Sequence, residues 1–124
     1  MKNIITDAVY EDSGFSLMAR IYGQAATAIT QATISSIALR VYDVSSSTVV
    51  ATATPVVAST VFDTLQTDAY WTKDSTGYNF RYSTLAAHVP AGCGRMLFEF
   101  TFTPASGAAF PVVFEVPVLD LYGS

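Results

Sequence analysis

Charge is scarce in this chain. Asp, Glu, Lys and Arg make up 13% of its 124 residues, against about a quarter in ordinary soluble domains. The bases Lys2, Arg20, Arg40, Lys73, Arg81 and Arg95 are scattered singly, and the acids outnumber them to give a net charge of −4. Backbone-directed nucleic-acid binding needs clustered Lys and Arg, so no nucleic-acid partner is expected. The same scatter gives no polybasic patch for anionic lipid. Cysteine is limited to Cys93. One thiol forms no intrachain disulfide and fits synthesis in a reducing compartment. No apolar run approaches the roughly 18 residues of a membrane helix. Acids interrupt residues 1–14 before any long apolar stretch, which argues against a signal peptide. Synthesis in the cytoplasm and no membrane partner are the expectations. Gly-rich phosphate loops, CxxC, HExxH and G-x-S-x-G are missing as well.

Apolar residues are plentiful instead, at 51% of the chain. A chain of this length suits one domain, residues 1–124, and one this apolar fills a core without covalent staples. Its dominant period is two. Phe15, Leu17, Ala19 and Ile21 alternate with Ser16 and Arg20; Ile37, Leu39 and Val41 alternate with Ala38, Arg40 and Tyr42. Alternate side chains of a strand point to opposite faces, so both stretches read as half-buried strands. Residues 48–54 and 56–62 are rich in Val and Thr, which predicts two more strands, with Pro55 marking a bend or a change of sheet. Asp74-Ser-Thr-Gly77 reads as a turn with Gly77 at positive φ, followed by a short strand from Tyr78 to Tyr82. Residues 84–88 suggest one helical turn, and 24–31 a loop or edge strand.

Residues 98–116, FEFTFTPASGAAFPVVFEV, give the clearest pattern. Met96, Phe98, Phe100 and Phe102 share one face of a strand. Phe110, Val112, Phe114, Val116 and Val118 share one face of the next. The loop at 104–108 makes the pair a hairpin. Pro111 and Pro117 have the same parity, so both delete donors on one edge, away from the hairpin partner. About seven short strands with turn signals between them predict an all-β fold, a two-layer immunoglobulin-like β-sandwich with a C-terminal hairpin. Residues 1–12 and 119–124 lie outside the strong pattern and read as extended tails that reach over adjacent subunits.

Trp71-Thr-Lys-Asp-Ser-Thr-Gly-Tyr-Asn-Phe80, then Val89-Pro-Ala-Gly92, then the hairpin itself, resemble small β-sandwich proteins of tailed-phage and prophage-like gene clusters. These are loosely similar to the N-terminal domain of baseplate upper proteins. The resemblance covers residues 34–118, and the GYNF turn-strand and the hairpin carry most of it. It implies a structural component of a virion, made in the host cytoplasm: a capsid decoration or accessory subunit. A tail, neck or baseplate adaptor is the alternative. The partners so implied are the major capsid or tail proteins, in a homo-oligomer or symmetric array. No long fibre or receptor-binding region is expected, and a stand-alone accessory subunit is the expectation.

Candidate chemistry is sparse. His88, the single histidine, sits among serines and acids without a nucleophile elbow, so a loop histidine is preferred to a triad member. Cys93 lies between two glycines, where a small side chain filling a corner is preferred to a reactive thiol. Glu11, Asp12, Asp63, Asp68 and Asp74 are oxygen donors of the kind that bind Ca²⁺ or pair for glycoside hydrolysis. They lack the spacing of an EF-hand loop, and solvated turn acids are the preferred reading. Glu99 and Glu115 face outward, toward solvent or a neighbouring subunit's arginines. Tyr70, Trp71, Tyr78 and Tyr82 form an aromatic set suited to a protein interface or to stacking on a glycan. A carbohydrate-binding module is therefore a further alternative. No catalytic, cofactor or metal residue is assigned, and the chain is not expected to be an enzyme.

Overall fold

The structure, a computed structural model, describes residues 2–4, 9–10, 14–23, 27–88 and 94–119. Its strands are β1 (Lys2–Ile4), β2 (Val9–Tyr10), β3 (Ser16–Ala19), β4 (Ile34–Asp43), β5 (Thr48–Ala53), β6 (Val61–Gln66), β7 (Tyr78–Ser83), β8 (Arg95–Pro104) and β9 (Phe110–Leu119). One helical turn, α1 (Val57–Thr60), and short 3-10 turns at Gln31–Thr33 and Ala86–His88 complete the elements. The chain is all-β, in two sheets.

The hairpin anchors the larger sheet. Its register sets Phe98 opposite Phe114 and Phe102 opposite Phe110. Met96, Phe98, Phe100, Phe102, Val112, Phe114 and Val116 are completely buried, as the period of two demands. The loop lies one residue later than expected, because Pro104 still belongs to β8 and pairs with Ile34. β4 lines the other side of β8, and β5 folds back on β4, giving the order β1-β9-β8-β4-β5. The smaller sheet has the order β3-β7-β6. Phe80 of β7 crosses the gap between sheets and meets Phe100 and Phe102 edge-on at 5.1 and 5.2 Å. Phe15 meets Phe98 at 5.6 Å, and Tyr82 meets Phe100 at 5.4 Å. Such edge-to-face pairs contribute about 0.5–1.5 kcal/mol each beyond the area they bury. The two apolar faces thus close on each other, with side chains from both filling one core.

Residues 1–12 carry a correction where they are described. β1 and β2 do not run outward as a tail. They lie parallel to the chain's own β9, with Lys2 to Ile4 opposite Val113 to Glu115, and Val9 and Tyr10 opposite Val118 and Leu119. The free edge expected on β9 is therefore covered in two pieces. Pro111 lies before the first piece and Pro117 falls between the two, where a missing N–H costs no ladder bond. Residues 120–124 lie outside the described residues.

The stretch 56–62 is a second correction. It is not a strand throughout: Val57–Thr60 winds one helical turn, and β6 runs on to Gln66. Thr60 Oγ1 donates to Val56 O at 2.9 Å, and Ser59 Oγ donates to the same carbonyl at 3.2 Å. Short hydroxyl side chains offer the backbone this alternative to a ladder. The change of sheet expected at Pro55 does occur, since β5 ends in the larger sheet and β6 begins in the smaller one.

The β3–β7 ladder ends in an unusual way. Regular pairing stops at Ala19 opposite Phe80. One step further, the Asn79 side chain takes over the role of a backbone. Its Oδ1 accepts from Ile21 N at 2.8 Å and its Nδ2 donates to Ile21 O at 2.9 Å. Asn79 is 1% exposed, and its amide satisfies two buried groups at once. Beyond this point the β3–β4, β6–β7 and β8–β9 connections gather at one end of the two sheets. Ala105 N donates to Thr33 O at 2.9 Å, and Arg20 reaches Asp74.

Candidate functional site

The loop between β6 and β7, residues 67–77, holds most of the aromatic set. Two aspartates shape it. Asp68 Oδ1 accepts from Tyr70 N at 2.9 Å and Trp71 N at 3.2 Å, and Oδ2 accepts from the Tyr78 hydroxyl at 2.6 Å. Asp74 Oδ1 accepts from Trp71 Nε1 at 2.9 Å, Thr76 N at 3.0 Å and Gly77 N at 3.1 Å. Arg20 Nη1 donates to both Asp74 oxygens, at 3.0 and 2.8 Å, and to Gly77 O at 3.1 Å. An aspartate that bonds the N–H two residues on builds a turn from its own side chain. Gly77, at φ +106°, closes the second turn as expected, and a Cβ there would collide with the Gln66 carbonyl.

This geometry gives the acids their electrostatics. The Trp71 indole N–H, then the Gly77 N–H, then Arg20 hold the Asp74 carboxyl far below the usual carboxylate range. The Tyr78 hydroxyl, aided by the N–H groups of Tyr70 and Trp71, lowers Asp68. Tyr78 is raised, by burial first and then by Asp68. Each shift favours a carboxylate that stays ionised and a phenol that stays neutral. The pair is built to hold a loop; a general acid or base would need a proton that leaves near neutral pH.

The four aromatic residues do not converge on one surface. Trp71 is 9% exposed and Tyr78 3%, and their rings lie 5.5 Å apart. Phe62 meets the far side of Tyr78 at 5.7 Å. Tyr82 faces the core, stacked near His88 and edge-on to Phe100. Tyr70 is 75% exposed, with the Arg81 guanidinium 5.8 Å from its ring centre. Only Tyr70 of the four therefore offers an open ring to a partner.

His88 is buried, and its Nδ1 accepts from Leu85 N at 3.2 Å. That bond fixes the neutral tautomer with its proton on Nε2, and burial lowers the pKa. Cys93 lies outside the described residues, as do Glu11 and Asp12. Asp63 sits on β6 and accepts from Gln31 N at 2.7 Å. Glu115 pairs with Arg95 of its own chain at 3.3 Å, and Glu99 stands opposite Arg40 in register. Among the described residues, no three His, Cys, Asp or Glu side chains group closely enough to hold a metal ion. No helix among them is long and apolar enough to cross a membrane.

A cleft of about 410 Å³ opens at the same end, between the β3–β4 and β8–β9 connections. Small side chains line it, among them Ala28, Ala32, Thr33 and Ala105, with Phe110 as one wall. It carries no ionisable group. Sequence reasoning missed this cleft and the bracing role of Asn79. The Asp68 and Asp74 turns were legible, because both acids stand two residues before the N–H groups they bind.

These features define a two-sheet all-β domain whose aromatic loop serves chiefly as an internal brace. No family model, curated protein or solved structure matches the chain.

Proposed function

We propose that the chain is a non-catalytic structural domain of immunoglobulin-like architecture, acting as an accessory subunit of a phage particle. Strand order supports the architecture. An immunoglobulin-type sandwich sets strands B, E and D in one sheet and C, F and G in the other, with C′ beside C in the larger form. Matching β3 to B, β4 to C, β5 to C′, β6 to D, β7 to E, β8 to F and β9 to G reproduces both observed orders without a swap. The B–F disulfide of antibody domains has no counterpart: β3 and β8 carry Leu17 and Phe98 among their buried residues, and no cysteine.

One observation carries the functional reading. The large side chains are spent on internal contact. Phe80, Phe98, Phe100, Phe102 and Phe114 are wholly buried, and Trp71 and Tyr78 lock a loop. This is the economy of a scaffold. The likeness of the GYNF turn-strand and the final hairpin to phage β-sandwich proteins supplies the setting. A capsid decoration role is favoured, with a tail, neck or baseplate adaptor as the second placement. Its partners are then the major capsid or tail proteins of the same particle.

Purified particles from a producing lysate test this. Mass spectrometry of the gradient band should find the chain at a fixed copy number relative to the capsid protein. A chain recovered only free in the soluble fraction overturns the virion reading. Glycan binding is the weaker alternative, because a sugar platform needs open aromatic faces and Trp71 is largely covered.

A further inference from the structure

Strand edges are where sheet proteins meet unwanted or wanted partners, and natural folds usually blunt them. In this molecule the two flanks are treated differently. On one flank, β9 is covered by β1 and β2 and carries Pro111 and Pro117. β3 on the same side is four residues long and runs directly into Arg20, which is ion-paired to Asp74. On the other flank, β5 is the last strand of the larger sheet and β6 the last strand of the smaller one. The short crossing at 54–60 joins them, and Ala53 of β5 and Phe62 of β6 line one cleft together with Arg81 of β7.

The edge strand β5 and the crossing that follows it carry no charge of their own. Residues 44–62 contain no Asp, Glu, Lys, Arg or His, as is also true of residues 21–39, but 44–62 includes all of the edge strand β5. Asp63 on β6 is the first acid reached, and its carboxylate accepts from Gln31 N. Exposed apolar side chains gather here: Val44 at 40%, Val49 at 48%, Val56 at 63% and Leu65 at 38% exposure. β5 itself reads Thr-Val-Val-Ala-Thr-Ala, with four of its six residues β-branched and no proline. It carries one blunting device, a bulge. The register to β4 slips between Val41 and Tyr42 and leaves Val50 as the extra residue.

We propose that this flank is the surface on which two copies of the chain associate, β5 of one running antiparallel to β5 of its partner about a two-fold axis. Three observations select a second copy over a foreign strand. A net charge of −4 makes most approaches between copies repulsive, and this band lets two copies touch without placing like charges together. A two-fold contact presents the same patch from both sides, so an uncharged Thr/Val/Ala edge is complementary to itself. The bulge gives β5 extra local twist, and a two-fold copy carries the same twist, whereas a flat foreign strand does not. The proposal deepens the assembly reading by giving it a surface, while its physical argument stands on the strand edges alone.

Sedimentation velocity of the isolated chain over a concentration series provides the test. The wild type should move from 13.3 kDa toward twice that mass as concentration rises. Val49→Lys and Thr52→Glu each place a charge on exposed positions of β5, where the two-fold sets like charges near one another. Both should stay monomeric. Thr103→Lys, exposed on β8 away from this flank, should dimerise like the wild type. A wild type that is monomeric throughout, or charge variants that dimerise unchanged, overturns the proposal. Should a variant fail to fold, hydrogen exchange on the wild type decides. Amides of 48–53 should exchange more slowly in concentrated than in dilute solution, and equal rates overturn the idea. Dimers without particle association would keep this interface and sink the virion reading. Particle association by a chain that never self-pairs through β5 would do the reverse.

Discussion

Removing the Asn79 amide tests how the smaller sheet is held together. In Asn79→Ala, the Ile21 N–H loses the Asn79 oxygen, while the Ile21 C=O keeps the Ile29 N–H at 3.2 Å, at a site where Ile21 and Asn79 are each 1% exposed. A buried group left unsatisfied costs about 1–3 kcal/mol. One such donor, beside a carbonyl that keeps one of its two bonds, sets the expected loss at about 1–3 kcal/mol, the upper end reduced because truncation leaves room for a water. That is a large share of a typical total of 5–15 kcal/mol. Urea unfolding should show a lower midpoint with an unchanged slope. Asn79→Leu separates bonding from packing: it restores the volume but not the bonds, so its loss should match that of the alanine variant. Asn79→Asp adds a signature of its own. Ionised, its second oxygen faces the Ile21 carbonyl; protonated, it donates a hydroxyl there, as the amide does. This variant should therefore recover stability as pH falls. Losses below about 1 kcal/mol in both the alanine and leucine variants would refute the reasoning.

Other outcomes follow from the same geometry. Gly77→Ala should cost about 2–3 kcal/mol by thermal or urea unfolding, since it forces a side chain into a glycine-only conformation beside the Gln66 carbonyl. Trp71→Ala should lower stability by about 3 kcal/mol, in the range of buried aromatic truncations; an unchanged melting curve with lost glycan retention would restore the sugar-platform reading. Asp74 has a folded pKa depressed below its unfolded value near 3.9, so its contribution is complete above that value and lost as pH falls through it toward the folded pKa. Asp74→Asn should flatten this acid limb in a pH series of unfolding midpoints. His88 also has a depressed folded pKa, but protonation charges it, so stability should begin to fall as pH drops below about 6.5. His88→Gln should remove that dependence between neutral and mildly acid pH.

The parts of the fold readable from sequence are those ruled by alternation. Phe98, Phe100, Phe102, Val112 and Phe114 sit where a period of two puts them, because one face of each strand meets the core. Pro111 and Pro117 also showed which edge of β9 has no need of all its donors. What alternation cannot show is which strand will occupy that edge. β1 and β2 pair there across more than a hundred residues of sequence, and contacts so distant leave no local periodicity. The helical turn at Val57–Thr60 escaped for another reason: its β-branched residues favour a strand, while Ser59 and Thr60 bond back to Val56. In the aromatic set, residue type and closeness in sequence were visible. The difference between Tyr70, open to solvent, and Trp71, its covered neighbour, depends on Asp74 accepting from the indole. The GYNF segment carries the resemblance, but no local pattern in it distinguishes Asn79 as the side chain that bonds the Ile21 backbone.

The parallel course of β1 along β9 sets how this domain bears tension. A pull applied outward through Lys2 and Leu119 drags the two strands past each other along their length, so the bonds between them are strained together. In a hairpin tugged at its open end they would instead break one after another. A module wired this way yields late under mechanical load, a property that no equilibrium melting experiment reports.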